Sequence, residues 1–352
     1  MVEHLLTEEE ATIFRHLPIT GSTPRAIARI EERPEAEVSA ILEHLASGKW
    51  IIWAAGSGKT RRYGSLPIVP GTFELMMVGR RMETLDDWYK TFLEHFEALL
   101  RTGYTTAYTR HDTPWLRFLP THRTAAQSAA ALPSDKLEVV FDRFDSFAVA
   151  HCQCRMAMRA TGEGCDRPLE NCMSMGDWAE SAIDLGVMKR ISKKDAIAIK
   201  KEAEDAGCIT WIMNCEGAKG QASCSCCGCC CHAMRWMTEF DAPSIFAPPH
   251  FRPTVDRDRC RSCGKCANAC PMGAIVVDPK NKTGWLLRER CIGCGLCAQA
   301  CTKVGAITMD PVPDYQLPPE SWFAYAARTL PNATRTAVEN ILEKYVIANE
   351  NK

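Results

Sequence analysis

Apolar residues recur at helical spacing in three places near the N-terminus. Leu5, Leu6, Ile13 and Phe14 predict a first helix. Thr23-Pro24 is a capping residue followed by a helix-starting proline, and Ala26, Ile27 and Ile30 give the second helix its apolar face. Pro34 opens a third, in which Val38, Ile41, Leu42 and Leu45 share one side, and Gly48-Lys49 ends it. Trp50-Ile51-Ile52-Trp53 and Arg61-Arg62-Tyr63 then predict two strands joined at Gly56-Ser57-Gly58. Further on, Trp88, Phe92, Phe96 and Leu99 mark one face of an amphipathic helix over 85–100. Leu137, Val140 and Phe144 predict another between Lys136 and Phe147, and helices follow near Gly176 to Leu185 and Lys193 to Ala206.

Three helices and a hairpin over residues 1–66 read as a winged helix. Charge changes what that implies. The first 64 residues carry eight Lys and Arg against nine Asp and Glu, and Glu35, Glu37 and Glu43 load the third helix with negative charge. Phosphate contact needs a basic face, so nucleic acid is disfavoured and a protein-contact or scaffold role is expected. Gly56-Ser57-Gly58-Lys59-Thr60 lacks the glycine that a P-loop needs ahead of its Gly-Lys pair with four residues between, so it reads as a hairpin turn.

The whole chain is nearly neutral, with 42 Lys and Arg against 43 Asp and Glu, and 46% hydrophobic residues suffice for a packed core. No apolar run is long enough to span a membrane, and the N-terminus shows no signal-peptide pattern, which predicts a cytoplasmic protein. Its 20 cysteines are clustered rather than spread, which predicts metal sites in a reducing compartment and not a disulfide framework.

The cysteines form two fields. In the second, Cys260-x2-Cys263-x2-Cys266-x3-Cys270-Pro271 is repeated as Cys291-x2-Cys294-x2-Cys297-x3-Cys301. Gly264 and Gly295 match, and each block is followed by Gly-Ala-Ile. This repeat resembles the two-cluster bacterial-type ferredoxins, which bind two [4Fe–4S] clusters. Three thiolates of each cluster come from a tight loop and the fourth from the other half of the repeat. The resemblance implies Cys260, Cys263, Cys266 and Cys301 around one cluster, and Cys291, Cys294, Cys297 and Cys270 around the other. Zinc knuckles are the bland alternative, but they need no third cysteine at this spacing.

The first field starts at Cys152-Gln153-Cys154-Arg155 and continues through Cys165 and Cys172. It resumes as Cys224-Ser225-Cys226-Cys227-Gly228-Cys229-Cys230-Cys231-His232. Cys152, Cys154, Cys165 and Cys172 form one plausible four-thiolate set, and Cys224, Cys226, Cys227, Cys229, Cys230 and Cys231 supply six more thiolates. Soft thiolates in this number predict at least one further iron–sulfur cluster, with structural zinc as the alternative. Arg155, Arg159 and Arg167 lie nearby and either offset cluster charge or are simply exposed. Cys208 and Cys215 read as buried free thiols.

The order of winged helix, Cys-x-Cys-Arg with Gly-x-x-Cys-Asp-x-Pro, Cys-Cys-x-Cys-Cys-Cys and repeated ferredoxin motif resembles a family of anaerobe 4Fe–4S dicluster-domain proteins over most of residues 1–312. That resemblance implies architecture more than a reaction. The expected fold is α+β and multidomain. It comprises a winged-helix-like domain at 1–66, a mainly helical Cys-rich domain at 67–250, a two-cluster ferredoxin domain at 251–312 and a helical tail at 313–352. The expected function is single-electron transfer to or from a redox partner protein. Two rival readings are an oxidoreductase with a substrate-binding cluster between Cys152 and Cys231, and a redox-sensing DNA-binding regulator.

Overall fold

The computed structural model describes residues 1–66, 68–103, 114–217, 219–240, 245–278, 283–321, 323–325 and 327–328. They fall into two compact units, residues 1–99 with 160–162, and residues 100–159 with 163–352.

The first unit begins with one helical turn at Val2–Leu5, followed by helices α1 (Glu8–Phe14), α2 (Pro24–Ile30) and α3 (Glu35–Glu43); the extended Leu6 and the Thr7 cap break the single first helix expected to hold Leu5, Leu6, Ile13 and Phe14. Thr7 and Glu10 close a capping box at the start of α1, and Thr23 caps α2 with Pro24 in its first turn. Ile13, Ile27, Val38, Leu42 and Leu45 are buried among the three helices. Ala26 and Ile30, expected on the apolar face of α2, are exposed; Ile27 and Ala28 do the packing. Strands β1 (Trp53–Ala55) and β2 (Arg62–Gly64) pair antiparallel, so the first strand starts later than the Trp50 expected. Glu43 ties this hairpin to α3: Tyr63 Oη donates to it at 2.6 Å and Arg61 Nη2 at 2.9 Å. Helix α4 (Asp87–Arg101) buries Tyr89, Phe92, Leu93 and Phe96, with Phe73 stacked on Phe96 at 4.3 Å.

The second unit is built on a six-stranded antiparallel sheet in the order β3 (Leu116–Phe118), β7 (Ile209–Met213), β8 (Gly220–Cys226), β5 (Glu170–Gly176), β4 (Phe147–His151), β6 (Lys189–Ile191). This corrects the expectation of a mainly helical middle. The central strands, Glu-Asn-Cys-Met-Ser-Met-Gly and Gly-Gln-Ala-Ser-Cys-Ser-Cys, are poor in the β-branched and aromatic residues that announce a strand. Two buried polar side chains of β8 are satisfied internally: Ser223 Oγ donates to Trp211 O at 2.9 Å, and Gln221 Nε2 to Cys215 O at 3.1 Å.

Between the strands run α5 (Gln153–Ala160), α6 (Asp177–Asp184) and α7 (Lys193–Asp205), and α8 (His232–Thr238) follows β8. The helix expected from Lys136 is shorter, Leu137–Phe141, because Phe147 already starts β4; Leu137, Val140 and Phe144 are buried as expected. One core gathers these side chains with Met173, Met175, Ile212 and Ala196 of α7. A second core joins Ile209, Cys226, Cys231 and Met234 to Met272, Ala274, Ile292, Cys294 and Leu296, so the cysteine end of the sheet packs directly on the C-terminal segment.

That segment pairs β9 (Phe251–Val255) with β12 (Ile307–Pro311), and β10 (Ile275–Asp278) with β11 (Thr283–Leu286). Most of the helical tail expected at 313–352 lies outside the described residues. Tyr325 is buried and Phe323 is 85% exposed. Among the described residues no helix is long and apolar enough to cross a membrane.

Candidate metal centres

In the C-terminal segment the repeat in sequence is a repeat in shape. Gly264 and Gly295 have φ of 73° and 87°, the left-handed conformation that favours glycine, and each starts a short helix, α9 (Lys265–Asn268) or α10 (Leu296–Ala300). The third cysteine of each block, Cys266 or Cys297, therefore sits in a first helical turn. The fourth cysteines cross over. The Cys266 thiol is pushed up by its burial and then by its neighbours Cys301 and Cys260. Burial also pushes up Cys294, which has Cys297, Cys270 and Cys291 beside it, and it raises Cys297 to about 12 with Cys291 and Cys270 close by. Burial disfavours the thiolate at all three; a bound cation would favour it. Backbone N–H groups already point at sulfur, from Ala274 to Cys270 Sγ at 3.3 Å and from Ser262 to Cys260 Sγ at 3.5 Å. The two halves differ in exposure: Cys260 and Cys263 are exposed, whereas Cys294 and Cys297 are buried.

The other cysteine field is divided, and not as the sequence suggested. Cys165 is separated from Cys152, Cys154 and Cys172 and joins Cys227, Cys229 and Cys230, with all four Sγ atoms within 4.8 Å of one another. Cys172 on β5 and Cys224 on β8 lie side by side, one step beyond the Met173–Ser223 pair, with their sulfurs 3.9 Å apart. From Cys224 a chain of neighbouring thiols continues through Cys226 and Cys231 to Cys154, whose other neighbour is His232. Cys152 completes this group of six at the start of α5, with Cys154 and Cys224 acting on its thiol.

The adjacent cysteines explain the division. β8 ends at Cys226, and side chains alternate along a strand, so Cys226 and Cys227 point to different groups. Cys231 caps α8, while Cys230 before it faces Cys165 at 3.7 Å. Gly228 lies between the pairs, against the dicluster segment: a Cβ there would come within 1.9 Å of Pro271 O.

The charges around these thiols test whether they suit a metal. Arg155 is fully buried between the two groups. Its Nη2 donates to Cys227 Sγ and Cys208 Sγ at 3.5 Å and to Ser225 O at 3.2 Å, and Nη1 donates to Pro168 O. Burial opposes its charge, but Cys152, Cys227 and Cys208 outweigh that and raise its pKa. Lys200 on α7 is also fully buried and donates to Asn171 O at 3.2 Å. Burial lowers its pKa, against the pull of Cys224, Cys172, Cys226 and Cys152. Among the described residues neither cation has a carboxylate partner. A buried cation needs a compensating anion, and among the described residues the groups beside these two that can supply it are cysteine thiolates. Cys227 is already drawn down to about 4, first by Cys230 and, against its burial, by Arg155. This donor set fits thiolate-bound metal.

Of the three arginines flagged from sequence, Arg167 also meets sulfur, donating to Cys229 Sγ at 3.5 Å. Arg159 does not; it fixes the loop by donating to the carbonyls of Cys165 and Arg167. Cys215 is a buried thiol, as expected, but Cys208 lies on Arg155 beside Cys227. The sequence reading missed Lys200 and Trp211, whose Nε1 donates to Cys226 Sγ at 3.1 Å. One signal for Lys200 was present: it shares the Ala196 and Ala203 face of α7, a buried face.

No curated protein matches the chain. Residues 253–309 match the family model of the 4Fe-4S dicluster domain, so this segment is a ferredoxin-like iron–sulfur domain.

Proposed function

We propose that the chain is an electron-transfer protein that takes single electrons from a redox partner at the exposed half of its dicluster domain and passes them inward to the Cys152–Cys231 field. The observation that carries this reading is the polarity of the C-terminal domain. Cys260 and Cys263 face solvent, whereas Cys294 is buried in one packed core with Cys226 and Cys231. Iron–sulfur clusters supply one-electron transfer when bound. In this reading Cys260, Cys263, Cys266 and Cys301 hold the outer cluster, and Cys291, Cys294, Cys297 and Cys270 the inner one. Arg155 and Lys200 balance thiolate charge in the third redox site without adding bulk solvent to it. Residues 1–66 act as a winged-helix element for protein contact, 67–250 carry the third site, 251–312 form the ferredoxin domain and 313–352 its tail.

The test is a Cys263→Ser variant of the full chain, purified anaerobically. A protein-sized reductant should then reduce the remaining centres at least tenfold more slowly than in the parent. Unchanged reduction, with the outer cluster shown to be altered by its spectrum, would remove the exposed half as the point of entry.

A further inference from the structure

The group formed by Cys165, Cys227, Cys229 and Cys230 has dimensions of its own. Sulfur–sulfur distances are 3.7 Å for Cys165–Cys227, Cys165–Cys230 and Cys229–Cys230. Four thiolates about 2.3 Å from one tetrahedral ion lie about 3.8 Å from each other, since a tetrahedron's edge is about 1.63 times its centre-to-corner length. A four-iron cube places an iron behind each thiolate and holds the sulfurs farther apart than the 4.8 Å that encloses all four here.

We propose that these four cysteines hold a single tetrahedral divalent ion, zinc or ferrous iron, separate from the polynuclear chemistry of the six-thiol group. Six thiols cannot share one tetrahedral ion, which sets the neighbouring group apart. The local charge also suits one ion. Four thiolates and a divalent cation leave two negative charges, and two guanidinium groups touch the set, Arg155 at Cys227 and Arg167 at Cys229. Cys227, Cys229 and Cys230 come from the single turn that follows β8, and Cys165 from the loop that Arg159 pins. This is a closed site with all four positions taken by protein, the form of a structural ion. Because Cys226–Cys227 and Cys230–Cys231 each give one cysteine to either group, the ion fixes the geometry of the six-thiol site through two peptide bonds. The inference does not depend on the direction, or the existence, of electron transfer through the dicluster domain.

The experiment uses the full chain purified anaerobically, with zinc and iron measured per chain and X-ray absorption recorded at both metal edges. Cys229→Ser is the variant, because Cys229 is the exposed member of the set. The expected result is loss of about one ion per chain, or its retention with one sulfur replaced by oxygen. Loss of zinc, with four sulfurs and no metal neighbour at the parent's zinc edge, supports a zinc site. Loss of about one iron, together with a mononuclear ferrous signal in the parent's Mössbauer spectrum, supports an iron site. Loss of about four irons would overturn the proposal in favour of a cube. Metal content and sulfur coordination unchanged by the substitution would also overturn it. If the variant does not fold, the parent decides: neither a zinc edge with four sulfurs nor a mononuclear iron signal means no such ion.

Discussion

Gly228→Ala tests the seam between the two cysteine fields. Gly228 does not occupy the left-handed region, so alanine can adopt its backbone. The obstacle is contact. The added Cβ would stand 1.9 Å from Pro271 O and 2.9 Å from Pro271 C, and real Cβ atoms essentially never come under 3.0 Å. The nearest atoms are backbone, so no rotamer change relieves the overlap, and the two segments must part by about 3.0 − 1.9 = 1.1 Å. Overpacking of this kind destabilises by about 1–3 kcal/mol. At about 2–4 °C per kcal/mol for a unit of this size, the apparent melting midpoint should fall by roughly 2–12 °C. Differential scanning calorimetry under anaerobic conditions reads the shift. Paramagnetic coupling between the dicluster domain and the neighbouring centre should weaken in the same variant. A variant that melts with the parent and keeps its coupling would refute the packing of Pro271 against the Cys226–Cys231 turn.

The remaining predictions concern charge. Arg155→Met should destabilise the second unit by about 3–5 kcal/mol, because it leaves buried thiolates without their counter-ion. It should also make the metal centres beside it harder to reduce; equal stability and equal midpoint potential would show that Arg155 carries no such role. Arg155→Lys should restore only part, since a lysine cannot reach Pro168, Ser225, Cys208 and Cys227 with one planar fork. In the first unit, burial alone would raise the Glu43 carboxyl, but Tyr63, Ser47 and Arg61 together hold it down at about 2. A carboxyl depressed by folding adds stability above its ordinary value of 4.5, and that stability is lost as pH falls toward about 2. The hydrogen-exchange protection of the β1–β2 hairpin, taken relative to the intrinsic rate at each pH, should therefore fall across that window in the parent. In Glu43→Gln that protection should be low already at neutral pH; parallel protection profiles would contradict the assignment.

The repeated motif made the dicluster domain legible, because eight cysteines and two glycines at fixed spacing admit few other arrangements. The helices α3 and α4 were legible for a different reason: their apolar residues recur at helical spacing. The six-stranded sheet was not. Strands β5 and β8 lack β-branched and aromatic residues, and the one alternation in bulk, Met173-Ser174-Met175, is too short to announce a strand. That loss hid the site as well. The division of ten cysteines into four and six follows from the register that sets Cys172 beside Cys224, and from the strand end at Cys226; neither can be read from spacing alone. Lys200 escaped notice because it sits in a run of charged residues, on the one face of α7 that turns inward.

The most direct measurement is an anaerobic coulometric titration of the full chain, counting electrons taken up per molecule. Two [4Fe–4S] clusters accept about two electrons between them. If the six-thiol group is a redox centre fed through the dicluster domain, uptake exceeds that number, and the excess disappears in a Cys224→Ser, Cys226→Ser double variant that retains the dicluster spectrum. Uptake of about two electrons in both proteins would contradict the account and leave the buried thiols a purely structural metal site.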